Sequence, residues 1–183
     1  MVPPMTFGLL IIDVQQALCS GEYEAFEVSR VIERINHVSR QFRQAGAPVV
    51  VIQHEAANSL FAHGSAGWQL AEGLEVVAED IHLRKTAPDS FHLTNLAAQL
   101  QARGVKRLVI CGLQSEFCVD TTTRRALALG YPVQLVADGH STCDNGVLSA
   151  AQITAHHNHT LANMTSFGPR VLTVAAHAIQ IEA

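Results

Sequence analysis

The chain has 183 residues, of which 48% are hydrophobic and 15% charged, enough apolar content for one sizeable core and too little length for two full domains. It is read as a single domain over residues 1–183. Twelve basic and sixteen acidic residues leave a net charge of −4, which argues against a nucleic-acid surface built on bulk charge, and no apolar run approaches the length of a membrane span. Four cysteines are too few for a disulfide scaffold, and the opening Met-Val-Pro-Pro-Met-Thr lacks the basic start and apolar stretch of a signal peptide, so a reducing, cytoplasmic setting is expected.

Along the chain, short apolar runs alternate with amphipathic stretches. Phe7–Ile12 reads as a buried strand that ends at Asp13. Phe26, Val28, Val31, Ile32, Ile35, Val38 and Phe42 recur at helical spacing, and Gly46 with Pro48 stops that helix. Val49–Ile52 is a second strand. The stretch 53–79 has little periodicity and reads as a long loop with a short helix; long loops in compact domains are often functional. Ile81–Lys85 is a third, more polar strand. Thr94 caps a helix running to Arg103, with Leu96, Ala97 and Leu100 on one face. Leu108–Cys111 is a fourth strand, 116–129 a helix closed by Gly130 and Pro132, Val133–Ala137 a fifth strand followed by Asp138, 147–161 a helix, and Val171–Leu172 a short last strand before a helical turn.

Strand–helix alternation with short connections predicts an α/β, three-layer doubly wound, mainly parallel sheet with helices on both faces. In such sheets the site lies beyond the carboxyl ends of the strands. Asp13, Lys85, the Gly112 turn and Asp138 all finish or follow strands, so they are expected to gather there.

Dinucleotide-binding, phosphate-loop and serine-hydrolase glycine motifs are all absent. His54-Glu-Ala-Ala-Asn58 imitates a zinc protease helix but has Asn58 where the second histidine must stand. The segment Gly112-Leu-Gln-Ser-Glu-Phe-Cys-Val-Asp120 is more informative, because it joins a buried strand to a helix. With Ser115 as N-cap, Cys118 sits in the first turn, where free N–H groups and the helix dipole favour a thiolate. The bland alternative is a small residue filling a helix–sheet contact. Cys111, inside a strand, reads as core; Cys19 and Cys143 receive no role. A nucleophilic cysteine needs a proton acceptor and a charge partner. Asp13 and Lys85 both end strands at the right edge, although a strand-end Asp is otherwise a turn or cap residue and a lone Lys a solvated charge.

Asp13-Val-Gln15, Lys85 within Arg84–Phe91, and Gly112–Asp120, with Gly130–Val133 and Val136–Thr142 in support, together resemble the isochorismatase-like cysteine hydrolases over nearly the whole chain, from about Phe7 to Val174. That superfamily includes nicotinamidases, N-carbamoylsarcosine amidase, ureidoacrylate amidohydrolases and isochorismatases. The resemblance implies a sheet of about six parallel strands and a catalytic set of Asp13, Lys85 and Cys118. It also implies an oxyanion site made by the backbone N–H groups of Gln114 and Cys118, with a cis peptide bond before Gln114. The reaction implied is hydrolysis of a small amide, ureide or carbamoyl C–N bond through a thioester, with no cofactor. The implied partners are a small amide-type substrate and a second copy of the chain in a homo-oligomer, with no nucleic acid and no membrane.

Nicotinamidases of the superfamily bind a metal through an Asp-x-His pattern after the second strand; here that region reads Gln53-His-Glu-Ala-Ala-Asn58, so no metal is assigned to His54 or His63. His156, His157 and His159 read as a helix flank or subunit contact. Trp68 is either a pocket wall or a loop anchor. Phe117, Gln15, which would orient Asp13, and His54 complete the pocket candidates. Two other readings compete: an isochorismatase that cleaves a vinyl ether without a thiol nucleophile, and a catalytically idle scaffold or regulatory thiol protein.

Overall fold

In the first strand, β1 (Thr6–Ile12), Leu9 and Ile11 point to one side and Leu10 and Ile12 to the other, and all four are fully buried. A strand buried on both faces needs a layer on each side. The computed structural model describes residues 6–181; the opening segment 1–5, read above for the absence of a leader, lies outside them.

Short α1 (Gln16–Cys19) follows β1, then α2 (Val28–Gln44), β2 (Val49–His54), β3 (Ile81–Lys85), α3 (Leu96–Ala102) and β4 (Val105–Leu113). The chain closes with α4 (Asp120–Ala128), β5 (Val133–Ser141), α5 (Ala150–Ala162) and β6 (Val171–Val174). The sheet order is β3-β2-β1-β4-β5-β6 and every pair is parallel. One core lies under α2, where Val31, Ile35, Val38 and Phe42 meet Leu9, Ile11, Val51 and Val109. The other lies under α3, α4 and α5, where Leu96, Leu100, Ala126 and Leu161 meet Leu10, Ile52, Leu108 and Ile110. Strand order reverses between β1 and β4, where Ile12 pairs with Gly112, and a crevice opens at such a reversal. Gly112 has φ +120°, and a Cβ there would overlap the Ile12 carbonyl, so only glycine lets the two strand ends approach.

Several expectations shift. The loop expected over 53–79 starts at Glu55, because β2 takes Gln53 and His54, and among the described residues it holds turns and a single bridge, Gln15 to Leu70, and no helix. Helix α5 starts at Ala150, not 147, because Ser149 and Gln152 close a reciprocal capping box there. Asn95 takes the cap place of α3 without a side-chain cap bond, while the Thr94 hydroxyl accepts the Leu96 N–H at 3.3 Å and donates to the Ser90 carbonyl. Strand β5 runs on to Ser141 through an irregularity that sets His140 opposite Gly112. Asp138 is therefore inside the strand and away from the expected gathering. Its carboxylate accepts the Ala176 N–H at 2.8 Å and faces Arg34 at 3.3 Å, tying the carboxyl-terminal turn to α2.

Candidate active site

Three strand ends converge at the β1/β4 reversal. Asp13 follows β1 with a left-handed backbone (φ 51°), its N–H held by the Ile52 carbonyl and its own carbonyl by the Gln15 N–H. Lys85 closes β3. Cys118 lies in the turn after β4. Asp13 and Lys85 are 1% and 2% exposed, and the Lys85 Nζ donates to Asp13 Oδ2 at 2.6 Å and to the Cys118 Sγ at 3.2 Å. The second Asp13 oxygen, Oδ1, is buried and has no hydrogen-bond partner among the described residues.

An ammonium carries three donors. The third acceptor is His54 Nδ1, 3.3 Å from Nζ. Burial, and then the neighbouring Lys85 charge, lower the His54 pKa, which keeps Nδ1 free to accept. The carboxylate, imidazole and thiol lie within 4.8 Å of one another, a donor set that suits a metal. The Lys85 ammonium sits among these same three groups and already supplies the positive charge. His63 stands apart, packed edge-on against Trp68 with ring centroids 4.7 Å apart.

The turn bearing Cys118 departs from the α-helix expected there. Gln114 takes the extended cap position without a side-chain cap bond, and Ser115–Val119 form one wide π-helical turn leading into α4. The Gln114 carbonyl accepts from the Phe117 N–H and from the Val119 N–H, both at 3.2 Å, and skips Cys118 between them. In an α-helix the Cys118 N–H would bond that carbonyl. Here it does not, and the Gln114 N–H has no hydrogen-bond partner among the described residues. The Leu113–Gln114 peptide bond is cis.

The expectation of a thiolate at rest is overturned. Burial and the adjacent Asp13 carboxylate push the Cys118 thiol up to about 12, against which Lys85 acts only in part. A five-residue π turn inside a desolvated site does not offset that cost. The resting sulfur is a thiol.

The remaining pocket candidates divide. Gln15 is fully buried and does not bond the Asp13 carboxylate; its amide donates to the His54 and Trp68 carbonyls and accepts the His54 N–H at 2.8 Å. It thus pins the β2 end and the long loop together. The Trp68 carbonyl is anchored a second time by Gln53, and its Nε1 is buried without a partner among the described residues. Phe117 is 54% exposed. His157, of the histidine cluster on α5, bonds Asp120 Oδ1 at 3.1 Å, a helix-flank contact. Beside the Leu60 arm of the loop is an open cleft of about 710 Å³ lined by Gln16, Ala17, Tyr23, Leu60 and Gly67 among others.

Sequence reasoning missed His140 and its partners. His140 is 2% exposed, 2.8 Å from the Ser115 hydroxyl through Nδ1 and 3.0 Å from Asn158 Oδ1 through Nε2. A histidine in a strand-to-loop segment carries no local signal for such contacts.

Fold and site together define a doubly wound α/β protein with a half-buried thiol beside a buried carboxylate and ammonium where its strand order reverses. The chain matches the isochorismatase domain over residues 7–176 and belongs to the isochorismatase family of hydrolases. It is 41% identical over 138 residues to streptothricin hydrolase of Streptomyces noursei, a match covering 75% of the chain but spanning only half the length of that protein. Ureidoacrylate amidohydrolase of Caulobacter segnis is 28% identical over 167 residues, covering 71% of the chain and 70% of that protein. A crystal structure of an isochorismatase family protein superposes with a TM-score of 0.85 at 36% identity, over 92% of the chain and 98% of the solved one. Among the described residues, no helix is long and apolar enough to cross a membrane.

Proposed function

We propose that the protein hydrolyses a small amide, ureide or carbamoyl C–N bond through a covalent intermediate on Cys118. The carrying observation is the Lys85 ammonium, at 2.6 Å from Asp13 and 3.2 Å from the Cys118 sulfur in a water-poor pocket. Relatives that bear hydrolase and amidohydrolase names support the reaction class.

The thiol gives its proton to Asp13, whose Oδ1 is unpartnered, as the sulfur bonds the substrate carbonyl carbon. Negative charge then leaves the carboxylate and reappears on the carbonyl oxygen, which the backbone N–H groups of Gln114 and Cys118 bind. Lys85 stays charged throughout and offsets the negative charge on either side of the step. His54, accepting from that ammonium, is a positioning residue. The tetrahedral adduct collapses, the C–N bond breaks, and the departing nitrogen takes the proton from Asp13. Water attacks the thioester with Asp13 as base, releasing the acid and restoring the thiol. An oxyanion donor in such a site is worth about 3 kcal/mol of barrier.

The test is ammonia release from a panel of small amides and ureides, with isochorismate run alongside. Ammonia from the wild type, lost in Cys118→Ala, supports this reading. Pyruvate from isochorismate without dependence on Cys118 overturns it.

A further inference from the structure

A lysine ammonium fills the middle of the catalytic cluster. Its Nζ lies 2.6 Å from Asp13 Oδ2, 3.2 Å from the Cys118 Sγ and 3.3 Å from His54 Nδ1. Carboxylate oxygen, thiolate sulfur and imidazole nitrogen are the donors that four-coordinate Zn²⁺ and Co²⁺ sites use. The three groups offer ligand atoms within 4.8 Å of one another. Zinc–ligand bonds run about 2.0–2.3 Å, so each donor would close on a cation at the Nζ place by roughly 0.5–1.2 Å. Side-chain torsions supply a shift of that size.

The backbone holds two of these donors in place. Gln15 accepts the His54 N–H at 2.8 Å and donates to the His54 carbonyl at 3.0 Å, clamping the end of β2 that carries the imidazole. The Asp13 N–H donates to the Ile52 carbonyl, and the Asp13 carbonyl accepts the Gln15 N–H. The Lys85 side chain is 0% exposed. It has no path to water that would vacate the centre while the fold stays closed.

We propose that Asp13, His54 and Cys118 form a site for a thiophilic divalent cation of the Zn²⁺ class, and that Lys85 fills its centre and so keeps such cations off the sulfur. Lys85 acts by position and by charge. An entering ion would meet the ammonium itself, and two positive charges that close repel strongly in a desolvated site. Without the ammonium, the Asp13 carboxylate is buried and unpaired, which favours any cation that can enter. Binding then sends the thiol proton to the buffer, the sulfur coordinates as thiolate, and water takes the fourth place. The inference stands on this geometry and not on the reaction proposed for Cys118, so either can fail alone.

The experiment compares the wild-type chain with Lys85→Ala, which removes the ammonium with its stem and leaves room for an ion. The probe is Co²⁺, added without oxygen and displaced afterwards with Zn²⁺. The readouts are the thiolate-to-cobalt charge-transfer band in the near ultraviolet and the d–d bands of a four-coordinate ion. Lys85→Ala is expected to bind one Co²⁺ with that band, and to bind Zn²⁺ at least about a hundredfold more tightly than the wild type. The band is expected to vanish when Cys118→Ala is added. Adding His54→Ala instead is expected to weaken binding at least about tenfold. If Lys85→Ala does not fold alone, its refolding from urea is followed with and without one equivalent of Zn²⁺, which is expected to restore it. Wild-type affinity for Zn²⁺ within about tenfold of the variant overturns exclusion by Lys85. No band in the folded variant, a band that survives loss of Cys118, affinity unchanged by loss of His54, or no recovery of folding with Zn²⁺ overturns the site itself.

Discussion

The two flanks of the Cys118 turn are built from opposite materials. On the β1–β2–β3 side, Asp13, Lys85 and His54 form an ionic cluster around one ammonium. On the β4–β5–α5 side, Ser115, His140, Thr154 and Asn158 form a neutral hydrogen-bonded chain of similar burial. In the proposed reaction a proton is taken and returned on the first side, which requires groups that change charge. On the second side a geometry has to be held, and neutral groups hold it without the desolvation cost of ions. Burial raises the price of charge on both flanks; only the flank facing the reacting atoms carries it.

The contrast is broken most severely at the sulfur. Cys118→Ala is expected to lower kcat by about 10⁴-fold or more, as removal of a nucleophile does, with no change in the urea midpoint beyond a few tenths molar. Steady-state ammonia release and urea unfolding check both halves of that statement. Next is the ion pair. Lys85→Met leaves the Asp13 carboxylate buried without its partner at 1% exposure. It is expected to abolish turnover and also cost about 3–5 kcal/mol of stability, whereas His140→Asn costs much less by the same unfolding assay. Comparable losses in the two variants would erase the distinction between the flanks.

The neutral flank has its own signature in acid. The His140 pKa falls from 6.5 in the unfolded chain to about 4 in the fold. Unfolded chain therefore binds a proton first as pH drops. The stabilisation is complete above about 6.5 and is lost as pH falls through about 4, amounting to about 3 kcal/mol. Urea unfolding at pH 7 and pH 4.5 is expected to show this slope in the wild type and a shallower one in His140→Asn. The smallest effect is at the third acceptor. His54→Ala removes one of three bonds to an ammonium that keeps the other two, and a severalfold loss in kcat is expected, with rescue by His54→Asn, whose amide oxygen can accept in place of Nδ1.

The ionic flank could be read from the chain because its residues sit at the ends of recognisable strands, and strand ends are local features. Asp13 closes Phe7–Ile12 and Lys85 closes Ile81–Lys85, each at the position where apolar alternation stops. The neutral flank could not. His140 meets Ser115 across 25 residues and Thr154 meets it across 39, and no periodicity encodes such a pair. The same holds for Gln15, whose partners His54 and Trp68 lie 39 and 53 residues away. Asp138 was misjudged for the complementary reason: its place depended on how far β5 continued past an irregularity, which is decided by pairing with β4.

Apolar patterning and motif spacing by themselves determined the alternation of strands and helices, the parallel sheet buried on both faces, and the grouping of Asp13, Lys85 and Cys118 along one edge. Packing decided the rest. Whether the sulfur rests as thiol or thiolate is set by desolvation and a neighbouring carboxylate, and the partner that holds the Ser115 hydroxyl is a histidine 25 residues away. Both are properties of groups that meet only when the sheet has closed, so no stretch of sequence contains them.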